Sequence, residues 1–209
     1  VDDFNISLDA LDESVFTRLT KADIHPVLAG IDAARATGVS VKINTVLVRG
    51  YNDDQVLPLL EWAMAKNLPL RFIEYMPLDE PGRWQRQSVM DEDAVLAILR
   101  SRHRVEKLAR SSDPASPYLV DGHYPLGIIS TVSHPFCASC DRLRLTAKGE
   151  LYTCLFAANG TPLGEPLRQG ASDEQLQEKI AQAVWHKQAG YAAVPEPVER
   201  PIRMYAMGG

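Results

Sequence analysis

Three cysteines and two arginines fall within HPFCASCDRLRLTAKGELYTCLFAANG, residues 134–160 of this 209-residue chain. The thiols are Cys137, Cys140 and Cys154, which are all the cysteines present, and the guanidiniums are Arg142 and Arg144. The spacing is C-x2-C, then a third cysteine after thirteen intervening residues. Between them DRLRLTAKGELYTCLF reads as a β-hairpin turning at Lys148–Gly149, which returns Cys154 toward Cys137 and Cys140. Structural zinc takes four ligands and disulfides take pairs, so three thiols call for another account.

Three accounts compete. The cysteines could be buried without a metal, although a C-x2-C pair beside a hairpin argues against it. They could hold zinc as three Cys and one His, with His134 as the nearby fourth ligand. Or they could hold an iron–sulfur cluster by three thiolates, leaving one iron open for a substrate. The lack of a fourth cysteine favours an open site over a closed one.

The arginines sharpen the question. In RLRLT a period of two puts Arg142 and Arg144 on one strand face and Leu143 and Leu145 on the other. Taken alone that is a solvated face. Next to three converging thiols, two guanidinium forks make an anion site suited to phosphate or to the edge of a purine.

The elements that must position these groups alternate in period. FNISLD reads as a short strand, with Asp9 and Asp12 as N-cap candidates for a helix through SVFTRL. HPVLAGIDAARATG is an amphipathic helix with Pro26 in its first turn and Gly38 as its stop. VSVKINTVLV is apolar and β-branched, as expected of a parallel strand covered on both faces. NDDQVLPLLEWAMAKN is a helix capped by Asn52 or Asp53, with Pro58 placed to kink it. PLRFIEYMPL is another buried strand, and DEDAVLAILRSRH another capped helix.

Alternating strands and helices predict parallel α/β structure, open or barrel-like, with chemistry at the carboxyl ends of the strands. Those ends fall near Ser7–Asp9, Asn44–Arg49 and Glu74–Pro77. After residue 110 the turn-rich SSDPASPYLVDGHYP reads as a surface linker. Beyond it lie a strand in LGIISTVS, the cysteine stretch, a helix in SDEQLQEKIAQAVWHKQAG and an extended tail, PEPVERPIRMYAMGG.

Composition bounds the partners. A net charge of −5 argues against a general nucleic-acid or membrane-surface binder, and no apolar run approaches the ~20 residues that span a bilayer. An odd cysteine count without an export signal points to a reducing compartment, so cytoplasmic is the expectation. VDDFNISLDA starts directly in a strand-like pattern, which suggests a piece of a longer protein.

The block C-x2-C-D-R-L-R-L-T, the later C-L-F and the terminal Gly-Gly resemble the molybdenum cofactor biosynthesis protein A family of radical S-adenosylmethionine (SAM) GTP 3′,8-cyclases. NISLDAL, VKINTVLV and RFIEYMP are similar to segments of that family in the same order, so the resemblance covers essentially the whole chain. It implies an α/β fold: the second half of an incomplete (β/α)6 TIM-type barrel over residues 1–110, then a C-terminal α+β cluster-binding domain over residues 111–209.

By the same resemblance Cys137, Cys140 and Cys154 hold a [4Fe–4S] cluster whose open iron takes the guanine of GTP. Lys42, Arg142, Leu143 and Arg144 contact GTP, Ser7 and Met76 line the SAM site, and Arg71 assists the chemistry. Gly208 and Gly209 form a tail that reaches the active site.

The family's first cluster sits on a C-x3-C-x2-C motif that this sequence lacks, so the expectation is the C-terminal two-thirds of such an enzyme, inactive alone. A possible homodimer and a downstream cyclic pyranopterin monophosphate synthase complete the implied partners. The rival classes are a zinc-binding interaction module and another radical SAM enzyme with an auxiliary cluster.

Two physical conditions attend these assignments. An ammonium at Lys42, inside an otherwise apolar strand, must have an anionic partner. Arg71 and Met76 have opposite parity, so one regular strand cannot aim both at one cavity without a bulge or a strand end between them.

Overall fold

Side-chain caps start several of the helices where the sequence reading places them. In a computed structural model that describes residues 1–78, 84–109, 113–137 and 140–187, helix α1 (Glu13–Thr20) follows strand β1 (Asp3–Ser7). Asp12 caps α1, its carboxylate accepting from the N–H groups of Ser14 and Val15 at 2.9 and 3.0 Å. Helix α2 (His25–Ala36) carries Pro26 in its first turn and stops before Gly38, whose φ of +76° suits glycine. Strand β2 (Ser40–Leu47), helix α3 (Val56–Lys66), strand β3 (Leu70–Glu74) and helix α4 (Glu92–Arg100), capped by Asp91, complete the alternation. Pro58 falls in the first turn of α3, where a missing N–H leaves no intrahelical bond unmade, so it gives no reason for a kink.

Neither Asn52 nor Asp53 caps α3, which a 3-10 turn at Asp53–Gln55 precedes. The Asn52 carboxamide is fully buried and spent on the loops. It accepts from Val48 N–H at 2.7 Å and donates to the carbonyls of Asp9 and Val46 at 2.8 and 2.9 Å.

Strands β4 (Val105–Lys107), β5 (Ser116–Val120) and β6 (Tyr124–Ile129) extend the sheet to six strands in the order β1-β2-β3-β6-β5-β4. The first four are parallel, and β5 and β4 join antiparallel. The stretch expected to be a linker is therefore part of the sheet. Tyr118 and Val120 are buried, and Asp121 and Gly122, both at positive φ, form a tight turn closed by His123 N–H to Val120 O at 3.1 Å. An Asp-Gly pair between alternating apolar residues is a strong hairpin signal, and here it outweighs the turn-rich composition.

One sheet face is the core. Val41, Ile43, Leu47, Leu70, Phe72, Leu126 and Ile128 lie with Phe16, Ile31, Leu59, Leu60, Val95 and Leu99 from the helices. Fully burying one such side chain contributes roughly 1.5–3 kcal/mol. Strand β2 alternates buried and half-buried, so it is not covered on both faces as its composition suggested: Lys42, Asn44 and Val46 face away from the core.

The chain divides into two compact units, Val1–Met76 with Gln85–His134, and Pro77–Trp84 with Pro135–Gly209. The division thus falls after His134 rather than after residue 110, because β5 and β6 pair within the large sheet.

The second unit holds a three-stranded antiparallel sheet of β7 (Arg144–Leu145), β8 (Glu150–Tyr152) and β9 (Thr161–Pro162), with helices α5 (Gly164–Arg168) and α6 (Asp173–Trp185). Its hairpin turns at Lys148–Gly149 as the sequence predicts. Gly149 sits at φ +81°, and a Cβ there would stand 2.5 Å from the Gly164 Cα, so two backbones meet at this point. Ser172 and Gln175 form a capping box at the start of α6. The extended tail, with Gly208 and Gly209, lies outside the described residues. Among the described residues no helix is long and apolar enough to cross a membrane.

Candidate functional site

In the sheet unit the face turned away from the core carries a polar row. The register sets Ser7 against Asn44, Asn44 against Arg71, and Arg71 against Gly127, across four parallel strands. Lys42 lies one pleat from Asn44 on the same face. Its ammonium has the anionic partner that burial demands, Asp3 Oδ2 at 3.3 Å, with the lysine side chain 28% exposed. Arg71 pairs with Asp113 Oδ2 at 3.1 Å. Met76 is two residues beyond the end of β3, where strand parity no longer fixes the direction of its side chain.

Two members of this row were missed in the sequence. A Cβ on Gly127 would stand 3.1 Å from both Arg71 Cγ and Ala115 Cβ, so glycine makes room for the arginine stem. Asn44 Oδ1 is buried and, among the described residues, has no hydrogen-bond partner. An orphaned acceptor between two candidate site residues is a group that a ligand could satisfy. The signal was available: in V-K-I-N-T-V, Asn44 shares parity with Lys42.

Side chains lock the carboxyl ends of the strands. Asp9 accepts from Val46 N–H at 2.8 Å; burial raises its pKa, and that hydrogen bond opposes the rise. Glu74, 1% exposed, accepts from the N–H groups of Val132 and Ser133 at 2.7 and 2.9 Å and from the Ser133 hydroxyl. Glu92, also buried, accepts from Tyr118 OH, from Ser130 Oγ and from Lys107 Nζ at 3.0 Å.

In the cysteine unit all three thiols are free and half-buried. Arg142 Nε donates to Cys140 Sγ at 3.3 Å, and its guanidinium lies 5.1 Å from the centroid of the Phe136 ring. Phe156 N–H donates to Cys154 Sγ at 3.4 Å. Burial works to raise the Cys140 pKa. The hydrogen bonds and charge of Arg142, with the Lys187 ammonium, outweigh it and hold the thiol below its ordinary value.

Arg144, half-buried on β7, has its pKa lowered first by burial and then by Arg142, with Cys140 and Cys154 opposing. Both Cys140 and Cys154 therefore act electrostatically on Arg144. The register pairs Arg144 with Tyr152, and Cys154 follows Tyr152 by two residues. Leu143 and Leu145 are 41% and 61% exposed, so the apolar side of RLRLT lies open.

Among the described residues no three His, Cys, Asp or Glu side chains gather closely enough to hold a single metal ion. His134 Nδ1 lies 3.0 Å from the Ser133 hydroxyl. A cubane cluster makes a different demand, since each thiolate binds its own iron at a separate corner. Three free thiols, one of them held toward thiolate by two cations, fit that donor set.

Fold and site together define a mixed α/β protein that carries a cysteine and arginine site on a small antiparallel sheet outside its main sheet. The chain belongs to the Molybdenum Cofactor Synthesis C family, whose model matches residues 68–193. It is similar to the GTP 3′,8-cyclase of Streptomyces coelicolor, with 43% identity over all of this chain and 63% of that protein. The GTP 3′,8-cyclases of Corynebacterium glutamicum and Rhodopirellula baltica are 41% and 37% identical, over 100% and 98% of this chain and 58% and 60% of theirs. The chain thus spans about six-tenths of the length of these relatives.

Proposed function

We propose that this chain is the C-terminal part of a GTP 3′,8-cyclase, which converts GTP to (8S)-3′,8-cyclo-7,8-dihydroguanosine 5′-triphosphate in molybdenum cofactor biosynthesis. On this reading its large sheet is the second half of an incomplete (β/α)6 barrel. The observation that carries the proposal is the hydrogen bond from Arg142 to the Cys140 thiol, which puts a guanidinium and a candidate cluster ligand in one site. Family membership and the activity for which the relatives are named support it.

Cys137, Cys140 and Cys154 hold a [4Fe–4S] cluster in this reading. In the whole enzyme, SAM and a second cluster would supply radical chemistry at the ribose of GTP. What this chain contributes is placement. Arg142 and Arg144 neutralise phosphate and fix the pose of the nucleotide, with the Leu143 backbone between them. Lys42 exchanges Asp3 for an anionic part of GTP. Ser7, Asn44 and Met76 contact SAM or the ribose from the sheet unit, and Arg71 assists at the reacting sugar.

The test is iron, acid-labile sulfide and zinc per chain after anaerobic reconstitution, followed by GTP titration. About four irons and four sulfides are expected. Arg144→Ala should then lose about 1.5–3 kcal/mol of GTP binding while iron stays bound. About one zinc without sulfide would overturn the cluster reading. Unchanged GTP affinity in Arg144→Ala would overturn the nucleotide role.

A further inference from the structure

Lys187 stands two residues beyond the end of α6, and its N–H donates to the Val184 carbonyl at 3.1 Å. Its ammonium reaches the cysteine segment, 47 residues away in sequence. Nζ donates to the carbonyl of Cys140 at 2.6 Å and to that of Arg142 at 3.0 Å, and lies 3.8 Å from Cys140 Sγ. These contacts use all three donors of the ammonium. Holding so long a side chain in one geometry costs rotamer entropy, so a purely solvated cation has no reason to adopt it.

The neighbours sharpen the role. Arg142 already brings one cation to Cys140 Sγ, through Nε at 3.3 Å. Helix α6 buries none of its own side chains, so the ammonium is also a polar tie between the end of this helix and the segment that carries the thiol.

We propose that Lys187 is a positioning residue for the group bound at Cys140: it fixes the Cys140–Arg142 backbone and sets a second positive charge beside the sulfur. The inference rests on the cluster reading above. Its two components have separate consequences. A cation near a cluster favours the reduced form, so removing it lowers the reduction potential. Freeing the two carbonyls loosens the segment and speeds loss of iron. Outer partners of metal ligands typically change affinity by 10–100-fold when removed.

The experiment compares the full 209-residue chain with Lys187→Arg, Lys187→Gln and Lys187→Met after anaerobic reconstitution. It reads iron and sulfide content, the midpoint potential from an EPR-monitored titration, and the rate of iron release to a chelator. Circular dichroism checks that each variant is folded. Lys187→Arg should behave as the parent.

Lys187→Gln keeps hydrogen-bond donors without the charge, and should shift the reduced-to-oxidised ratio about tenfold toward oxidised, ~59 mV for a one-electron couple. Lys187→Met should show that shift and release iron about tenfold faster. Parent-like potentials and release rates in the folded variants would overturn the role of Lys187 while leaving the cluster reading intact. A parent chain that takes up no iron and sulfide would overturn both. If Lys187→Met does not fold, the comparison of Gln with Arg decides: equal potentials refute the proposal.

Discussion

In the sheet unit a continuous apolar core runs from Leu8 to Ile128 beneath one face of six strands. In the cysteine unit, among the described residues, Leu151 and Tyr152 are the large side chains that reach comparable burial, while Leu145, Leu167, Val184 and Trp185 are exposed. Its strands are two or three residues long, and α6 buries nothing of its own. The first unit has enough hydrophobic surface to fix its shape before any ligand arrives. Among its described residues the second has three half-buried thiols and few buried apolar side chains, so a bound group is expected to supply a larger share of its stability. Rigidity in one unit and ligand dependence in the other would then follow from where apolar residues are spent.

Four measurements would sharpen this contrast or break it. The largest effect is expected from Phe72→Ala, which opens a cavity in the main core at a cost of about 3–5 kcal/mol in urea denaturation. A loss below 1 kcal/mol would mean that this core is not what fixes the unit. Next comes loading of the proposed cluster. At a free concentration about a thousandfold above its dissociation constant, a ligand adds about 4 kcal/mol to the unit that binds it. Hydrogen exchange should slow in β8 and α6 on reconstitution and stay constant in β2 and β3. Equal protection of both units would erase the distinction.

The third measurement concerns Glu92. Glu92→Ala strands the Tyr118, Ser130 and Lys107 donors and should cost about 2–3 kcal/mol at neutral pH. Burial acts to raise the pKa of this carboxyl, but the three hydrogen bonds and the Lys107 charge prevail and hold it below the usual glutamate range. A lowered folded-state pKa means that the folded protein binds the proton less readily than the unfolded chain. Its stabilisation is therefore complete above the ordinary glutamate value and is lost as pH falls through the folded one. The Glu92→Ala penalty should shrink in acid, and a constant penalty from pH 7 to pH 3 would contradict this sign.

The smallest effect on stability belongs to Asn44→Leu. Removing an orphaned acceptor should change stability by no more than about 0.5 kcal/mol, in either direction. Binding of SAM or GTP by the complete enzyme should nonetheless weaken. A large loss of stability would show that the carboxamide serves the fold and not a ligand.

Much of this molecule is local. Asp12, Asp91 and Ser172 start their helices, Gly38 follows one, and Gly149 turns the cysteine hairpin, because each acts on backbone within a few residues of itself. The same short range made the thiol and arginine spacing readable, since Arg142 meets Cys140 two residues away.

Tertiary structure decided the rest. The stretch around Ser116–Val120 is a strand because β6 is there to pair with it, and its prolines and serines outweighed that possibility when read alone. Ser7, Asn44 and Arg71 form a row only once the parallel register is set. Asn52 leaves its helix uncapped because the ends of two strands need its carboxamide more. Lys187 finds Cys140 across 47 residues, a separation over which no periodicity or spacing carries information. Capping, turns and motif spacing are short-range energies written residue by residue, whereas register and side-chain partnership come from packing many distant groups at once, and only the folded chain performs that sum.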